Sequence, residues 1–152
     1  VTKLRLATEA DIPTLVEMGV DMFAGSSFAA LTYAPDKAGE FMRRGIKGAF
    51  LAVSVEGEGG AITGCIYGDV IEPWYTSDCM GIEHFLYVRP EHRGSRAALM
   101  LVRAWIRWCV SSGAKQLRPA TAAKSAEADR LYRAVGFEPV GQLYVMNQKD
   151  FP

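Results

Sequence analysis

The run Gly81–Val88, GIEHFLYV, is rich in apolar and aromatic residues and stops at Arg89-Pro90. Proline offers no N–H to a ladder and restricts the residue before it, so a strand must end there. Beyond the polar turn EHRGS begins the strongest helical period in the chain: between Ser95 and Ser111, residues Ala98, Leu101, Val102, Trp105 and Cys109 share one face. A strand running through a tight turn into a buried helix leaves unbonded N–H groups at the positive end of the helix dipole, where phosphate binds. Arg93 and Arg96 add full charges to that turn. Such amides occur at any strand–turn–helix junction, and surface arginines are commonly only solvated, so the junction alone is not specific.

The remaining elements follow from periodicity. Lys3 to Ala7 alternates like a half-buried strand, and Thr8 with Asp11 is a helix-start signal ahead of Ile12, Leu15, Val16, Gly19, Met22 and Phe23 at helical spacing. After the loop GSSFAALTY, Pro35 opens a second helix with Phe41, Met42 and Ile46 facing inward, ending near Gly48. Ala49–Glu56 and Gly64–Ile71 read as a hairpin around EGEGGA. A short strand over Gln116–Arg118, a helix from Ser125 to Val135 stopped by Gly136, and a last strand near Gln142–Met146 complete the order β-αα-βββ-α-β-α-β. With 152 residues and no linker or repeat, residues 1–152 form one mixed α/β domain.

Composition narrows the partners. Seventeen basic and seventeen acidic residues cancel, and the arginines are spread over several elements, which argues against nucleic acid. No apolar run reaches the roughly 20 residues of a membrane span, and the first residues carry no leader-like stretch. Cys65, Cys79 and Cys109 are odd in number and lack metal-ligand spacing, so no metal is implied and a reducing, cytoplasmic setting is expected.

The junction gains specificity from DRLYRAVGF, residues 129–137, which places a tyrosine just before a Gly-Phe helix exit. Together the two segments resemble the GNAT family of N-acetyltransferases. Val88, Pro90, Arg93, Gly94 and Ala98 match the family's V-x-P-x-x-R-G-x-G-x-G/A, and Ala128, Tyr132, Gly136 and Phe137 match its N-x-x-A-x-x-x-Y-x-x-x-G-F. The resemblance implies a mostly antiparallel sheet of six to seven strands with helices on both faces, and acetyl-CoA as acyl donor. It implies coenzyme A contacts from Leu86, Tyr87 and Val88 on a bulged, splayed strand. Further contacts are implied from Arg93, Gly94, Ser95, Arg96, Ala97 and Ala98 in the turn, and from Ser125 and Tyr132 on the later helix. Two positions depart from the pattern: Arg96 replaces the middle glycine and Ser125 replaces asparagine. Arginine at 96 requires an ordinary helical backbone, so the helix should already have begun there, its side chain either gripping a phosphate or obstructing the pocket.

Aminolysis of a thioester needs an unprotonated amine, donors for the oxyanion and a proton for the thiolate. Glu83, flanked by Ile82 and Phe85 in the apolar strand, is either an ordinary solvent-facing carboxylate or a partly desolvated base; the resemblance favours the base. His84 should face the other way as a structural residue. Backbone amides near Leu86–Val88 would supply the oxyanion donors, and Pro119 fits a place where pairing has stopped. Tyr132 lies on an apolar helix stripe, where a core role is common, but the Gly-Phe context marks it as the acid. Glu72 and Trp74, with Tyr75 and Asp78, form an acidic and aromatic loop able to hold a cationic amine beside Glu83, or an ordinary surface. The reading is an N-acetyltransferase acting on an amine of unspecified identity, with a homodimer left open. Its rivals are a transferase of another acyl group and a non-catalytic acyl-CoA-binding or protein-interaction module on the same fold.

Overall fold

A computed structural model describes residues 1–121 and 125–152. β1 (Thr2–Leu6) leads through a 3₁₀ turn into α1 (Ile12–Ala24), followed by α2 (Pro35–Gly48), β2 (Phe50–Glu56), β3 (Ile62–Ile71) and β4 (Met80–Val88). Then come α3 (Ala97–Ser111), β5 (Gln116–Arg118) and α4 (Ala126–Val135). The Thr8 N–H donates to Asp11 Oδ2 at 2.8 Å, and Arg5 grips the same carboxylate in a fork at 2.7 and 2.9 Å. That pairing holds the Asp11 pKa down at about 2.

The strands form one sheet in the order β1-β2-β3-β4-β5, antiparallel except for the parallel pair β4–β5. β2 and β3 are buried along nearly their whole length because helices cover both faces. On one face Leu15, Met18 and Met42 of α1 and α2 pack on Leu51, Val53 and Tyr67. On the other, Leu101, Val102 and Trp105 of α3 pack on Phe50, Ala52 and Ile66. Each such fully buried side chain stabilises the fold by about 1.5–3 kcal/mol. Gly68 is required for this packing, since a Cβ there would overlap the Trp105 indole and lie 2.8 Å from the Ile82 carbonyl.

Among the described residues five strands form where six to seven were anticipated. Gln142–Met146 has β-prone composition but joins no ladder, and its side chains are exposed. Strand propensity expresses fit to a pleated, half-buried surface, and no such surface lies alongside this segment. Elsewhere the elements fall within a few residues of expectation. Arg96 has helical dihedrals (φ −76°, ψ −6°) as the residue before α3, and Gly136 ends α4 at φ +112°.

Candidate active site

Two features of β4 create the site. The first is a bulge: Tyr67 faces Phe85 and Gly68 faces Glu83, so His84 is the extra residue. Glu83, Leu86 and Val88 consequently share the α3–α4 face. His84 turns to the α2 face, with its ring 4.9 Å from Phe41 and 4.8 Å from Tyr67. Burial there lowers the His84 pKa, against an opposing pull from Asp69.

The second feature is a splay. β5 pairs with β4 only from Met80 to Ile82 and ends at Arg118, immediately before Pro119. Arg89 N–H donates to Thr63 O at 2.8 Å, which fixes the alternation along the strand. By that alternation the N–H groups of Leu86 and Val88 point away from β3, toward the side β5 has left.

Past β4 the chain makes the turn the sequence marks out. Gly94 sits at φ +79°, a left-handed conformation that glycine adopts without strain. Arg93 braces the turn from within: its Nε donates to Val88 O at 3.1 Å and its guanidinium lies over the Tyr87 ring at 5.8 Å. Ser95 Oγ accepts from Ala97 N–H at 3.2 Å. Among the described residues the amides of Gly94, Arg96, Ala98 and Leu99 have no acceptor. Four free donors at a helix start are a ready anion site.

A cleft of about 590 Å³ opens over these amides. Of the anticipated cofactor residues, Leu86, Tyr87, Val88, Arg93, Gly94, Ser95, Ala98 and Ser125 line it. Arg96, Ala97 and Tyr132 do not: Ala97, the first residue of α3, is buried against the sheet, and Arg96 is not among the residues lining the cleft. Ser125 Oγ caps α4 by accepting from Ala128 N–H at 3.2 Å, which leaves its hydroxyl proton available. Asp21, Met22 and Gly25 at the end of α1, and Arg130 on α4, also line the cleft and were not anticipated. Only the tertiary fold brings them there.

The anticipated base and acid are in direct contact. Tyr132 Oη donates to Glu83 Oε2 at 2.6 Å. Burial pushes the Glu83 carboxyl up to about 7, and the bond from Tyr132 offsets part of that rise. Burial, then the Glu83 charge and the shared hydrogen bond, push the phenol well above its ordinary value, so it is a proton donor throughout the working range. Phe137 packs edge-on to the Tyr132 ring at 5.9 Å and stacks over Trp105 at 6.4 Å, fixing the end of α4. Glu72 and Trp74 stand apart, outside the cleft; Trp74 is 95% exposed and packs on Tyr75, while Asp78 pairs with Lys115 at 2.8 Å.

Fold and cleft together define a mixed α/β domain with a strand–turn–helix rich in free amides beside a part-buried carboxylate–phenol pair. The Acetyltransferase (GNAT) family profile matches residues 24–137, and the chain belongs to that family. Among solved structures, AAC(6')-Iy in complex with the bisubstrate analogue CoA-S-monomethyl-acetylneamine superposes with a TM-score of 0.76 at 14% identity, covering 97% of this chain and 98% of that one. A Trypanosoma brucei acetyltransferase gives 0.74 at 15% identity, covering 97% and 99%. An aminoglycoside acetyltransferase from an uncultured soil metagenomic sample, in complex with sisomicin, gives 0.68 at 17% identity, covering 97% of each chain. At these identities the likeness is one of fold. No curated protein matches the chain.

Proposed function

We propose that this protein transfers an acetyl group from acetyl-CoA to a primary amine by direct attack in a ternary complex. The observation that carries the reading is the Tyr132–Glu83 hydrogen bond of 2.6 Å beside the stretch of β4 whose Leu86 and Val88 amides point to the open edge. Coenzyme A fits the cleft on the observation of four unbonded amides at the start of α3, flanked by Arg93 and capped opposite by Ser125. Those groups would hold its phosphates, and when bound its thioester supplies the acyl carbon. The structural neighbours named as aminoglycoside acetyltransferases favour an amine as acceptor.

The dyad gives a balanced proton route. Glu83, with its carboxyl near neutrality, takes the proton of the attacking amine as the C–N bond forms. Tyr132 gives its phenolic proton to the sulfur as the C–S bond breaks. The phenolate is far too basic to persist, and Glu83 returns the proton across the same hydrogen bond. The amine's proton thus ends on the thiol, and both side chains return to their starting states. The Leu86 and Val88 N–H groups face the open side of β4, where a developing acyl oxyanion can accept from them. Burial raises the Cys65 thiol to about 12 and Cys109 to about 11, which disfavours either as a nucleophile and supports direct attack.

The test is calorimetric titration with acetyl-CoA, followed by a thiol-release assay over a panel of amines that includes aminoglycosides. Saturable binding with amine-dependent thiol release is expected. Binding without release for any amine would move the reading to a non-catalytic acyl-CoA module, and no binding at millimolar acetyl-CoA would overturn it.

A further inference from the structure

Trp105 is fully buried, and its indole Nε1–H, which can donate but not accept, has no hydrogen-bond acceptor among the described residues. Buried tryptophans usually find a partner for that N–H, so an orphaned one requires an explanation. The rest of the indole is committed to packing: it belongs to the α3 cluster and stacks on Phe137 with ring centroids 6.4 Å apart. Its polar edge is therefore held in place rather than free to turn to solvent.

Gly68 fixes where that edge lies. A Cβ on Gly68 would overlap Trp105 Nε1, so the N–H occupies the side-chain position that this glycine leaves open on the α3 face of β3. Gly68 faces Glu83 across the β3–β4 ladder. Side chains directly opposite in such a pair have Cβ atoms about 4.5–5.5 Å apart, a gap that a glutamate side chain spans. Glu83 lies on the same face, since its Oε2 accepts from Tyr132 of α4, and Tyr132 and Trp105 both pack on Phe137. The other carboxylate oxygen, Oε1, has no donor among the described residues, although an ionised carboxylate accepts on both oxygens.

We propose that Trp105 is a positioning residue for Glu83: its indole N–H donates to Oε1 of the ionised carboxylate while Tyr132 holds Oε2. The bond belongs to the charged state, because a hydrogen bond to an anion is about twice as strong as one to a neutral acceptor. It opposes the upward push of burial on the carboxyl and stops the two oxygens from turning. Of the titratable groups on the elements packed here, Tyr132 acts on Glu83 directly. The Cys109 thiol of α3 is pushed up to about 11 by burial and stays protonated, and Asp69 of β3 acts on Cys109 and His84. The hydrogen bond stands on geometry; its consequence for turnover rests on the role proposed above for Glu83.

Proton NMR of the indole N–H groups and carbon NMR of the glutamate carboxyls, followed from below to above neutrality without acetyl-CoA, test this. Trp74→Phe and Trp108→Phe assign the Trp105 signal by elimination. The expected result is a downfield movement of the Trp105 N–H with the same midpoint as the Glu83 carboxyl, and in Glu83→Gln a signal that is flat and lies upfield at alkaline pH. Trp105→Phe should raise the Glu83 midpoint by about one pH unit; should that variant not fold, the first two readouts decide. A Trp105 signal that ignores the Glu83 transition, one that titrates unchanged in Glu83→Gln, or an unmoved Glu83 midpoint in folded Trp105→Phe would each overturn the proposal. No acyl donor or acceptor enters these measurements, so a lack of acetyl transfer leaves it standing, and a flat indole in an active enzyme sinks it alone.

Discussion

Replacing Glu83 with glutamine removes the carboxylate's charge while keeping its shape and an acceptor for Tyr132. The stability effect follows from the raised pKa. Between 4.5 and about 7 the folded protein holds a proton on Glu83 that the unfolded chain has released, so wild-type stability falls as pH rises through that window. A rise from 4.5 to about 7, at about 1.4 kcal/mol per pH unit, corresponds to about 3 kcal/mol. Glutamine cannot ionise, so the variant escapes this loss. Urea denaturation of both proteins in steps from acid to alkaline pH should show the Glu83→Gln variant gaining on wild type across the window by about 3 kcal/mol, then running parallel above it. Turnover should move the opposite way, falling about 10²–10⁴-fold with loss of the ascending kcat/KM limb near neutrality. Parallel stability curves across the whole range would refute the claim that this carboxyl is desolvated, and the assignment of the base with it.

Four further substitutions probe the rest of the site and its support. Tyr132→Phe removes a bond that stabilises the ionised carboxylate, so the ascending limb of kcat/KM should move to higher pH while turnover falls about 10–100-fold; acetyl-CoA affinity measured by calorimetry should stay within a few-fold. Arg93→Ala loses both the Val88 O bond and the stack on Tyr87, and should weaken acetyl-CoA binding by about 1–3 kcal/mol, whereas Arg96→Ala should change it little because Arg96 does not line the cleft. Gly68→Ala forces a methyl into Trp105 and the Ile82 carbonyl, and should destabilise the protein by about 3 kcal/mol in thermal or urea unfolding.

The sequence carries the local parts of this site more fully than their assembly. Pro90 ends β4, Gly94 marks the turn and the 3.6-residue period marks α3, because each is fixed by neighbours along the chain. Departure from the glycine pattern at Arg96 is legible in the same way, as a helix start rather than a phosphate-approaching loop. By contrast, Asp21, Gly25 and Arg130 reach the cleft only through tertiary packing, and nothing in their own neighbourhoods announces it. Glu72 and Trp74 lie on an exposed loop outside the cleft, so the cofactor site does not bear on the amine-holding role that their residue types suggest. The run at Gln142–Met146 has strand chemistry without a ladder, since ladder formation depends on a partner edge that composition does not encode.

The bulge at His84 explains why the base and the oxyanion donors can work on one acyl group. In a regular strand Glu83 would share its face with Phe85 and Tyr87, and Leu86 and Val88 would lie on the other side. One extra residue reverses that parity partway along β4, so the carboxylate comes to the α3–α4 face next to the edge where the Leu86 and Val88 amides are open, while His84 packs against Phe41 and Tyr67 on the other side. β5 has ended along that edge, so among the described residues no ladder takes up those amides. Gly68, opposite Glu83, lets Trp105 lie against the sheet there, and burial on that face raises the carboxyl to about 7. Reactivity at Glu83 is therefore a property of the strand's register, and a change that removed the bulge should abolish it even with every side chain of the site retained.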